Sequence, residues 1–324
     1  MTERILVTGA AGFIGSAYVR ALLGPEGPRG DGTGPHVVAL DLLTYAGRRD
    51  NLDLGDRRLT FVHGDILDTK LVGELVASVD QIVHFAAESH VDRSIEDGGA
   101  FVRTNVLGTQ TLLDAALRHG VDRFVHISTD EVYGSIPVGS WPETHPLSPN
   151  SPYSASKAGS DLLALAYHRT HGLDVRVTRC SNNYGPRQHP EKLIPRFITT
   201  LADGGNVPLY GTGDNIRDWL HVDDHCAAIE RVRNHGRAGR VYNIGGGTEL
   251  TNKELTGLLL EACGADWDRV EYVTDRKGHD ARYSVDWTRA RDELGYRPRR
   301  DFGRGLAEVV DWYRENRAWW ERLV

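Results

Sequence analysis

Short apolar runs alternate with longer, more polar stretches through the first half of the chain. Six of these runs have the length and composition of buried strands, and segments of helical pattern separate most of them. The runs are 4–8, 36–40, 61–66, 81–87, 124–127 and 175–179. Alternating strands and helices are typical of a parallel sheet covered on both faces, so the pattern predicts an α/β, Rossmann-type doubly wound parallel sheet.

Capping signals predict where several helices begin and end. Ser151 and Pro152 are a typical N-cap and first helical residue, and Gly172 would end the helix that they start. Further helices are expected up to residue 23, over 101–119 before Gly120, after a capping box at 251–254, and over 302–320.

A glycine-rich turn joins the first strand to the first helix. Gly9, Gly12 and Gly15 allow a tight turn, close approach of a pyrophosphate to backbone N–H groups, and close helix packing. Asp41 ends the second strand, where its carboxylate would bind ribose hydroxyls and favour NAD over NADP. The interval between glycines and acid is long because of a Gly/Pro-rich surface loop at 24–35. Together these features predict an NAD site.

A second set of polar residues follows the fifth strand. Thr129, Asp130 and Glu131 would lie at its C-terminal tip, where open α/β sheets bind ligands. Tyr153 and Lys157 are four residues apart and therefore share one helix face. A neighbouring ammonium lowers the pKa of a phenol, so Tyr153 could take a proton from an alcohol. Two adjacent carboxyls can act as acid and base when their surroundings separate their pKa values.

Composition supports a chemical role for Lys157. Of the 38 Lys and Arg residues only five are lysine, which suggests that position 157 needs an amine. The alternative is a surface Tyr–Lys pair beside a solvated acidic turn. Four cations in later polar loops, Lys192, Arg217, Arg276 and Arg282, could together form a phosphate clamp, although each alone could be an ordinary surface charge.

Bulk composition narrows the function classes. The 324 residues, 40% of them hydrophobic, describe a globular chain, and the net charge of −7 argues against a nucleic-acid surface. No apolar run reaches membrane-spanning length, and the N-terminus enters a strand without a signal peptide. Cys180, Cys226 and Cys263 are too few and too widely spaced for a disulfide framework or a metal site. We expect a cytoplasmic protein with no metal and no membrane partner.

Six further motifs carry a resemblance to a known family across essentially the whole chain. They are H-F-A-A-E-S-H-V-D-R-S at 84–94, S-T-D-E-V-Y-G at 128–134, N-N-Y-G-P at 182–186, P-E-K-L-I-P at 190–195, R-D-W-L-H-V-D-D-H at 217–225 and R-K-G-H-D at 276–280. With the glycine turn and the Tyr153/Lys157 pair, they resemble the extended short-chain dehydrogenase/reductases and, within that group, the dTDP-glucose 4,6-dehydratases. The Asp-Glu pair is the most discriminating element, and Arg187 is a departure, since many relatives have an aromatic there.

The resemblance implies a redox cycle with no net oxidation of dTDP-glucose. Tyr153, assisted by Thr129, would deprotonate the 4-hydroxyl while hydride passes from C4 to NAD. Glu131 would then remove the C5 proton and Asp130 would protonate the departing 6-hydroxyl, releasing water. Hydride would return to C6, giving dTDP-4-keto-6-deoxyglucose. NAD would stay tightly bound, and Lys157 would support Tyr153.

The resemblance also implies which residues bind each molecule. Cofactor contacts are expected from Gly9, Gly12, Phe13, Ile14, Gly15, Asp41, Thr44, Asp65, Ile66, Ala86, Ala87, Ser89, Asn105, Tyr153, Lys157 and Asn183. Substrate contacts are expected from Ser89, His90, Thr129, Asp130, Glu131, Asn182, Lys192, Leu193, Tyr210, Arg217, Asn252, Arg276 and His279.

Domain and subunit organisation are expected as follows. Residues 1–182 would form the NAD-binding domain, to which the chain returns around 221–245, and 183–324 would mainly form a smaller nucleotide-sugar-binding domain. The family implies a homodimer, with an interface expected from the helices at 101–119 and 153–171. Two alternatives remain open: a nucleotide-sugar 4-epimerase or decarboxylase on the same scaffold, and a non-catalytic NAD-sensing protein.

Overall fold

The structure is a computed structural model that describes residues 2–24, 34–275 and 278–324. The predicted surface loop falls almost entirely outside these ranges, as does the predicted substrate ligand Arg276. The strands are β1 (Arg4–Thr8), β2 (His36–Asp41), β3 (Leu59–His63), β4 (Gln81–His84), β5 (Arg123–Thr129), β6 (Val175–Cys180), β7 (Asn182–Tyr184), β8 (Val207–Tyr210), β9 (Ile216–His221), β10 (Val241–Ile244), β11 (Glu249–Thr251) and β12 (Val270–Val273).

Helices connect most of these strands. They are α1 (Phe13–Leu23), α2 (Thr69–Val76), α3 (Val91–Glu96), α4 (Gly98–Phe101), α5 (Thr109–His119), α6 (Pro152–His171), α7 (Leu193–Ala202), α8 (Val222–His235), α9 (Asn252–Cys263), α10 (Thr288–Leu294), α11 (Phe302–Glu315) and α12 (Arg317–Trp320). Within the described ranges, every helix is too short or too polar to cross a lipid bilayer.

A seven-stranded parallel sheet forms the centre of the molecule. Its strand order is β10-β6-β5-β4-β1-β2-β3, so the chain starts in the middle and winds outward in both directions. The predicted Rossmann-type fold is confirmed, and all six apolar runs supply strands. The seventh strand, β10, comes from much later in the sequence and pairs with β6.

Alternating side chains of the sheet face two separate cores. Ile5 and Val7 of β1 pack with one cluster, which includes residues of α1 and α8. Leu6 packs with the other cluster, on the side of α2, α5 and α6. This alternation explains why the strands read as continuous apolar runs, since both faces of the sheet are buried.

A third core holds the C-terminal elements together. Helices α7, α9 and α11 pack around Trp219, Leu255 and Val309, beside the small sheet β11-β9-β7 and the pair β12-β8. The aromatic residues of the last helical region belong to this core, as expected, since Tyr313 and Trp320 are buried. The proposed division of the chain at residue 182 stays a prediction.

Two predicted helices are interrupted. The helix expected over 101–119 contains a π-helical segment, Val102–Gly108, between α4 and α5. The helix expected over 302–320 breaks at Asn316 into α11 and α12. The predicted boundaries at Ser151, Gly172 and the 251–254 capping box are confirmed, with Ser151 accepting a bond from the Ser154 N–H.

Candidate active site

A cavity of about 340 Å³ lies at the C-terminal edge of the central sheet. Its wall contains every residue predicted to bind the cofactor except Asn105, and all five predicted catalytic residues. The sheet therefore brings together residues from Gly9 to Asn183, as expected for a ligand site at the carboxyl ends of parallel strands. The binding role of each residue stays a prediction.

The glycine turn has no room for side chains. Gly9 has φ +64°, and a Cβ atom there would lie 2.6 Å from the Ala86 backbone nitrogen. A Cβ at Gly15 would lie 2.1 Å from the Gly9 carbonyl oxygen. The turn thus brings bare backbone to the start of α1, whose first N–H groups have no partners within the helix. This is the cradle that a pyrophosphate requires.

Asp41 is fixed by backbone donors at the rim of this cradle. Its Oδ2 accepts a bond from the Ala11 N–H (2.8 Å) and its Oδ1 from the Leu43 N–H (2.7 Å). Burial raises the pKa of this carboxyl, although these bonds oppose the shift. Each oxygen keeps a lone pair for a ribose hydroxyl. The cradle and this acid fit a dinucleotide without a 2′-phosphate.

Asn105 lies behind the cavity wall. Its amide accepts a bond from the Glu88 N–H (2.8 Å) and donates to the Glu88 carbonyl (3.0 Å) and the Ser156 hydroxyl (2.8 Å). It therefore joins the π-helical segment, the loop after β4 and the start of α6. Asn105 is not among the residues of the cavity wall, where its predicted contact with the cofactor would lie. Its hydrogen bonds instead support the loop after β4.

The polar triplet follows β5, as predicted. Thr129 ends the strand, and its hydroxyl donates to Asp130 Oδ1 (3.2 Å) and accepts from the Glu131 N–H (3.2 Å). Asp130 is 3% exposed, and its Oδ2 has no hydrogen-bond partner. Burial and then the neighbouring Glu131 carboxylate raise the pKa of Asp130 well above its ordinary value. Asp130 is therefore suited to hold a proton at neutral pH.

The predicted effect of Lys157 on Tyr153 is wrong for the protein alone. The Lys157 ammonium donates to the Ile127 carbonyl at 2.7 Å, and burial lowers its pKa to about 8. Burial and then the Glu131 carboxylate raise the pKa of Tyr153 well above 10.0. The phenol is thus protonated at rest, because burial and negative charge outweigh a lysine that is itself held by a carbonyl.

A buried network, which the sequence did not indicate, supports the catalytic helix. Asp161, one turn after Lys157, forms an ion pair with Arg179 at 2.8 Å. Arg179 also donates to the Tyr133 hydroxyl (2.7 Å), which in turn donates to Asn243 (2.8 Å). These bonds tie α6 to the turn after β5 and to the strands β6 and β10. Only the fold brings these four residues together.

A second cavity of about 570 Å³ adjoins the first. The two cavities share eight wall residues, which are Ser89, Glu131, Asn182, Asn183, Gln188, His189, Glu191 and Lys192. The second wall also contains predicted substrate residues from the C-terminal region, namely His90, Leu193, Tyr210, Arg217, Asn252 and His279. Thr129 and Asp130 lie on the side of the first cavity. The arrangement can hold a cofactor and a nucleotide sugar side by side, with Glu131 between them.

The structure brings two of the four predicted clamp residues to the second cavity, and the clamp itself stays a prediction. Arg217 is 5% exposed, donates to the Asp280 carbonyl (2.9 Å), and reaches the second cavity. Lys192 lies in both walls and donates to the Ser89 carbonyl (3.0 Å). Arg282, by contrast, lies in neither wall, because it pairs with Glu249 at 2.8 Å and donates to a carbonyl at Gly139. The positive charge of Arg282 is therefore paired with Glu249 within the protein.

Arg187 also lies outside both cavity walls. Its backbone has φ +68°, which is strained for a residue with a side chain. Its Nε is buried without a hydrogen-bond partner, and burial lowers the pKa of the guanidinium. The departure from the family pattern at this position therefore does not alter the substrate cavity directly.

Some residues of the cavity walls were not predicted from the sequence. His189 and Glu191 precede the predicted substrate residue Lys192 in a polar motif, so their position next to Lys192 was a usable signal. Leu323 and Val324 line the second cavity from the far end of the chain, and nothing in their local sequence predicts this.

Taken together, the Rossmann-type sheet, the glycine turn and the two adjoining cavities define a dinucleotide-binding type of α/β protein. The chain belongs to the GDP-mannose 4,6 dehydratase family, whose sequence model matches residues 6–309.

Individual relatives narrow the comparison. The chain is 68% identical over 319 residues to a dTDP-glucose 4,6-dehydratase of Streptomyces antibioticus, covering 98% of this chain and 95% of the relative. It is 67% identical to a dTDP-glucose 4,6-dehydratase of Streptomyces griseus, covering 100% and 98% of the two chains. The crystal structure of DesIV, a dTDP-glucose 4,6-dehydratase from Streptomyces venezuelae solved with NAD bound, is 62% identical with a TM-score of 0.96, covering 99% and 100%. These names favour the dehydratase over the epimerase or decarboxylase alternative.

Proposed function

We propose that this chain is an NAD-dependent hydro-lyase that converts dTDP-glucose into dTDP-4-keto-6-deoxyglucose and water. One observation carries the proposal: Thr129, Asp130 and Glu131 lie in one cavity with Tyr153 and Lys157, at the junction with a second polar cavity. The first three fit an elimination, and the last two fit oxidation of an alcohol. The high identity to dTDP-glucose 4,6-dehydratases supports the same reaction.

The oxidation half of the cycle needs a base at the 4-hydroxyl. Tyr153 is 9% exposed and lies in the cavity wall, so once ionised its phenolate can take that proton away from bulk water. When bound, NAD⁺ supplies the hydride acceptor and a positive charge that favours the phenolate. The Thr129 hydroxyl is oriented by its bond to Asp130 and can hold the substrate oxygen. Lys157, anchored on β5, keeps a cation within the same site.

The elimination half needs an acid and a base on one sugar. Asp130 is buried and favours its protonated form, so it can donate to the departing 6-hydroxyl. Glu131 borders both cavities and can remove the C5 proton, which the adjacent 4-ketone has acidified. The proton taken by Glu131 is available for return to C5 when the 6-carbon is reduced. Water is the only net product besides the keto sugar.

The nucleotide end of the substrate is assigned to the second cavity. Asn182, Lys192, Arg217, Asn252 and His279 supply amide and cationic groups there. Tyr210 and Leu193 provide less polar surface for the base and sugar. Arg217 is well placed for a diphosphate because its guanidinium lies over the Tyr283 ring at 4.4 Å and is held by carbonyl acceptors.

The subunit and its location are also proposed. Four large apolar side chains on the two predicted interface helices are exposed: Val102 at 55%, Leu107 at 49%, Leu117 at 38% and Leu162 at 56%. A second copy of the chain would cover this surface, which supports a homodimer. The three cysteines are all unpaired, which is consistent with a reducing, cytoplasmic environment.

The test is mass spectrometry of dTDP-glucose after incubation with the purified protein and no added reductant. We expect the loss of one water and no accumulation of NADH. A product that keeps its 6-oxygen with unchanged mass, identified as the 4-epimer, would contradict the proposal and restore the epimerase alternative. Loss of carbon dioxide from a nucleotide-linked uronic acid would likewise contradict the proposal and restore the decarboxylase alternative.

A further inference from the structure

Four side chains from three separate segments meet at the border between the two cavities. Tyr45 follows β2, Arg93 belongs to α3, and His189 and Glu191 lie between β7 and α7. The Arg93 guanidinium carbon lies 3.8 Å from the centre of the Tyr45 ring, and its Nη2 lies 3.3 Å from Glu191 Oε2. The His189 ring meets the Tyr45 ring edge-on at 5.3 Å. We call these four residues the clasp.

Each segment of the clasp also contributes to the cofactor cavity. Thr44 and Ala46, on either side of Tyr45, lie in its wall near Asp41. The segment that leads to Arg93 contributes Ser89, and His189 and Glu191 line both cavities. The clasp therefore connects the adenosine side of the first cavity to the loop that separates it from the second.

Arg93 supplies a permanent charge to a largely buried carboxylate. The Glu191 side chain is 13% exposed and interacts with the Tyr45 hydroxyl, where, after burial, its charge raises the pKa of that phenol. Around it, His90 lies at 3.5 Å, Lys192 at 3.9 Å and His189 at 4.0 Å. Burial lowers the pKa of both histidines, so their rings are neutral at pH 7. Arg93 and Lys192 are then the cations that hold Glu191 in place.

We propose that Arg93 is a positioning residue that closes the clasp over the cofactor and retains NADH between the two hydride transfers. This inference rests on the proposed function, because only a reaction that returns the hydride requires NADH to stay bound within each turnover. Release of NADH after the first transfer would leave an oxidised sugar and an enzyme with no hydride to return to C6. Arg93 lies in the wall of the second cavity but not in that of the first, so it acts on the cofactor through Tyr45 and Glu191.

The direct test measures NADH dissociation from NADH-loaded protein. Excess NAD⁺ is added, and the loss of bound-NADH fluorescence gives the release rate. Arg93→Ala should release NADH about tenfold faster than the parent, which corresponds to about 1.4 kcal/mol. Tyr45→Ala should behave alike, whereas Tyr45→Phe keeps the ring but loses the hydroxyl next to Glu191 and should release NADH at a rate between those of Tyr45→Ala and the parent. Release from Arg93→Ala at the parent rate would overturn the inference.

Arg317 offers a matched control. Its guanidinium lies 4.9 Å from the centre of the Trp320 ring and 2.6 Å from Asp203, so it has the same two kinds of contact. It lies in the wall of neither cavity. Arg317→Ala should leave NADH release unchanged. An equal acceleration in this variant would show a general loss of packing and would also overturn the inference.

A second readout separates this inference from the proposed function. During turnover of dTDP-glucose, Arg93→Ala should release free NADH together with a sugar two mass units lighter than the substrate. Parent protein that removes no water from dTDP-glucose would contradict the proposed function, while the fluorescence result would still test the clasp. Normal dehydration by the parent with no oxidised sugar from Arg93→Ala would contradict the clasp alone.

Discussion

Neighbouring carboxyls in this site have different surroundings and therefore different chemistry. Asp130 is buried with one unpartnered oxygen, which favours its neutral form. Glu131 is partly exposed and borders both cavities. The sequence predicted an acid and a base in this pair but could not by itself decide which was which, because burial is a property of the fold.

Replacing Glu131 should separate two steps of the elimination. We expect Glu131→Gln to lower kcat by about 10²- to 10⁴-fold, because a positioned base typically contributes that much. In heavy water the variant should also fail to exchange the C5 hydrogen, as measured by mass spectrometry of recovered sugar nucleotide. Asp130→Asn is the matched comparison, since it should slow water loss yet still permit exchange at C5. Parent-level turnover by Glu131→Gln would remove Glu131 from the mechanism.

The buried ammonium of Lys157 should make stability depend on pH. Burial lowers its pKa from 10.5 to about 8, so between these pH values the unfolded chain binds more protons than the folded one. The free energy of unfolding should therefore rise with pH across this window, by up to about 3 kcal/mol. Urea unfolding at pH 7 to 10.5 would show this rise in the parent but not in Lys157→Met. Parallel curves for the two proteins would exclude the shift.

Residue-level rules failed where several charges meet. The sequence predicted that Lys157 lowers the pKa of Tyr153, which considers one neighbour only. In the fold, burial and the nearby Glu131 carboxylate both raise the pKa of Tyr153 and so oppose the effect of the lysine. Neither the distance to Glu131 nor the carbonyl that holds Lys157 can be read from spacing along a helix.

Elements whose ends depend on local contacts were predicted well. The N-cap at Ser151, the C-cap at Gly172 and the glycine turn before α1 all involve neighbours in sequence. The π-helical segment Val102–Gly108 was not predicted because its causes are distant. Gly108 packs so closely on Ile66 that a Cβ would lie 2.4 Å from its side chain, and Asn105 is bonded to Glu88.

The glycine turn provides a test at the scale of one element. Gly15→Ala would place a methyl group 2.1 Å from the Gly9 carbonyl oxygen, so the turn must shift. We expect NAD affinity to fall at least tenfold, measured by calorimetric titration, with destabilisation of about 1–3 kcal/mol. Gly73→Ala is the control, because that helical position has only a side chain at 4.0 Å. It should be stabilising by about 0.5–1 kcal/mol; equal affinities for the two variants would argue against the cradle.

At the scale of the whole molecule, the main surface feature is the exposed apolar patch on α6 and on the π-helical segment Val102–Gly108. A stable dimer typically buries about 1,200–2,000 Å² in total, which a pair of packed helices from each subunit can supply. The sequence analysis reached the homodimer only through resemblance, because exposure of Val102, Leu107 and Leu162 is visible only once the helices are packed.

A charge on that surface should break the proposed dimer. Leu162→Arg places a cation at the centre of the expected interface, where its burial without a partner is costly. Sedimentation should show a dimer for the parent and a monomer for this variant at micromolar concentration. Leu258→Arg, on the exposed face of α9, should remain dimeric. A parent that sediments as a monomer would contradict the homodimer.

The position of Leu323 and Val324 in the wall of the larger cavity has a practical consequence. Any peptide attached after Val324 would start in the wall of the cavity that we assign to the nucleotide sugar. An affinity tag fused there would compete with substrate for the opening, raise KM and leave kcat little changed. Protein prepared with its tag at the other terminus, or with the tag removed, is therefore the appropriate material for kinetics and for crystals soaked with sugar nucleotides.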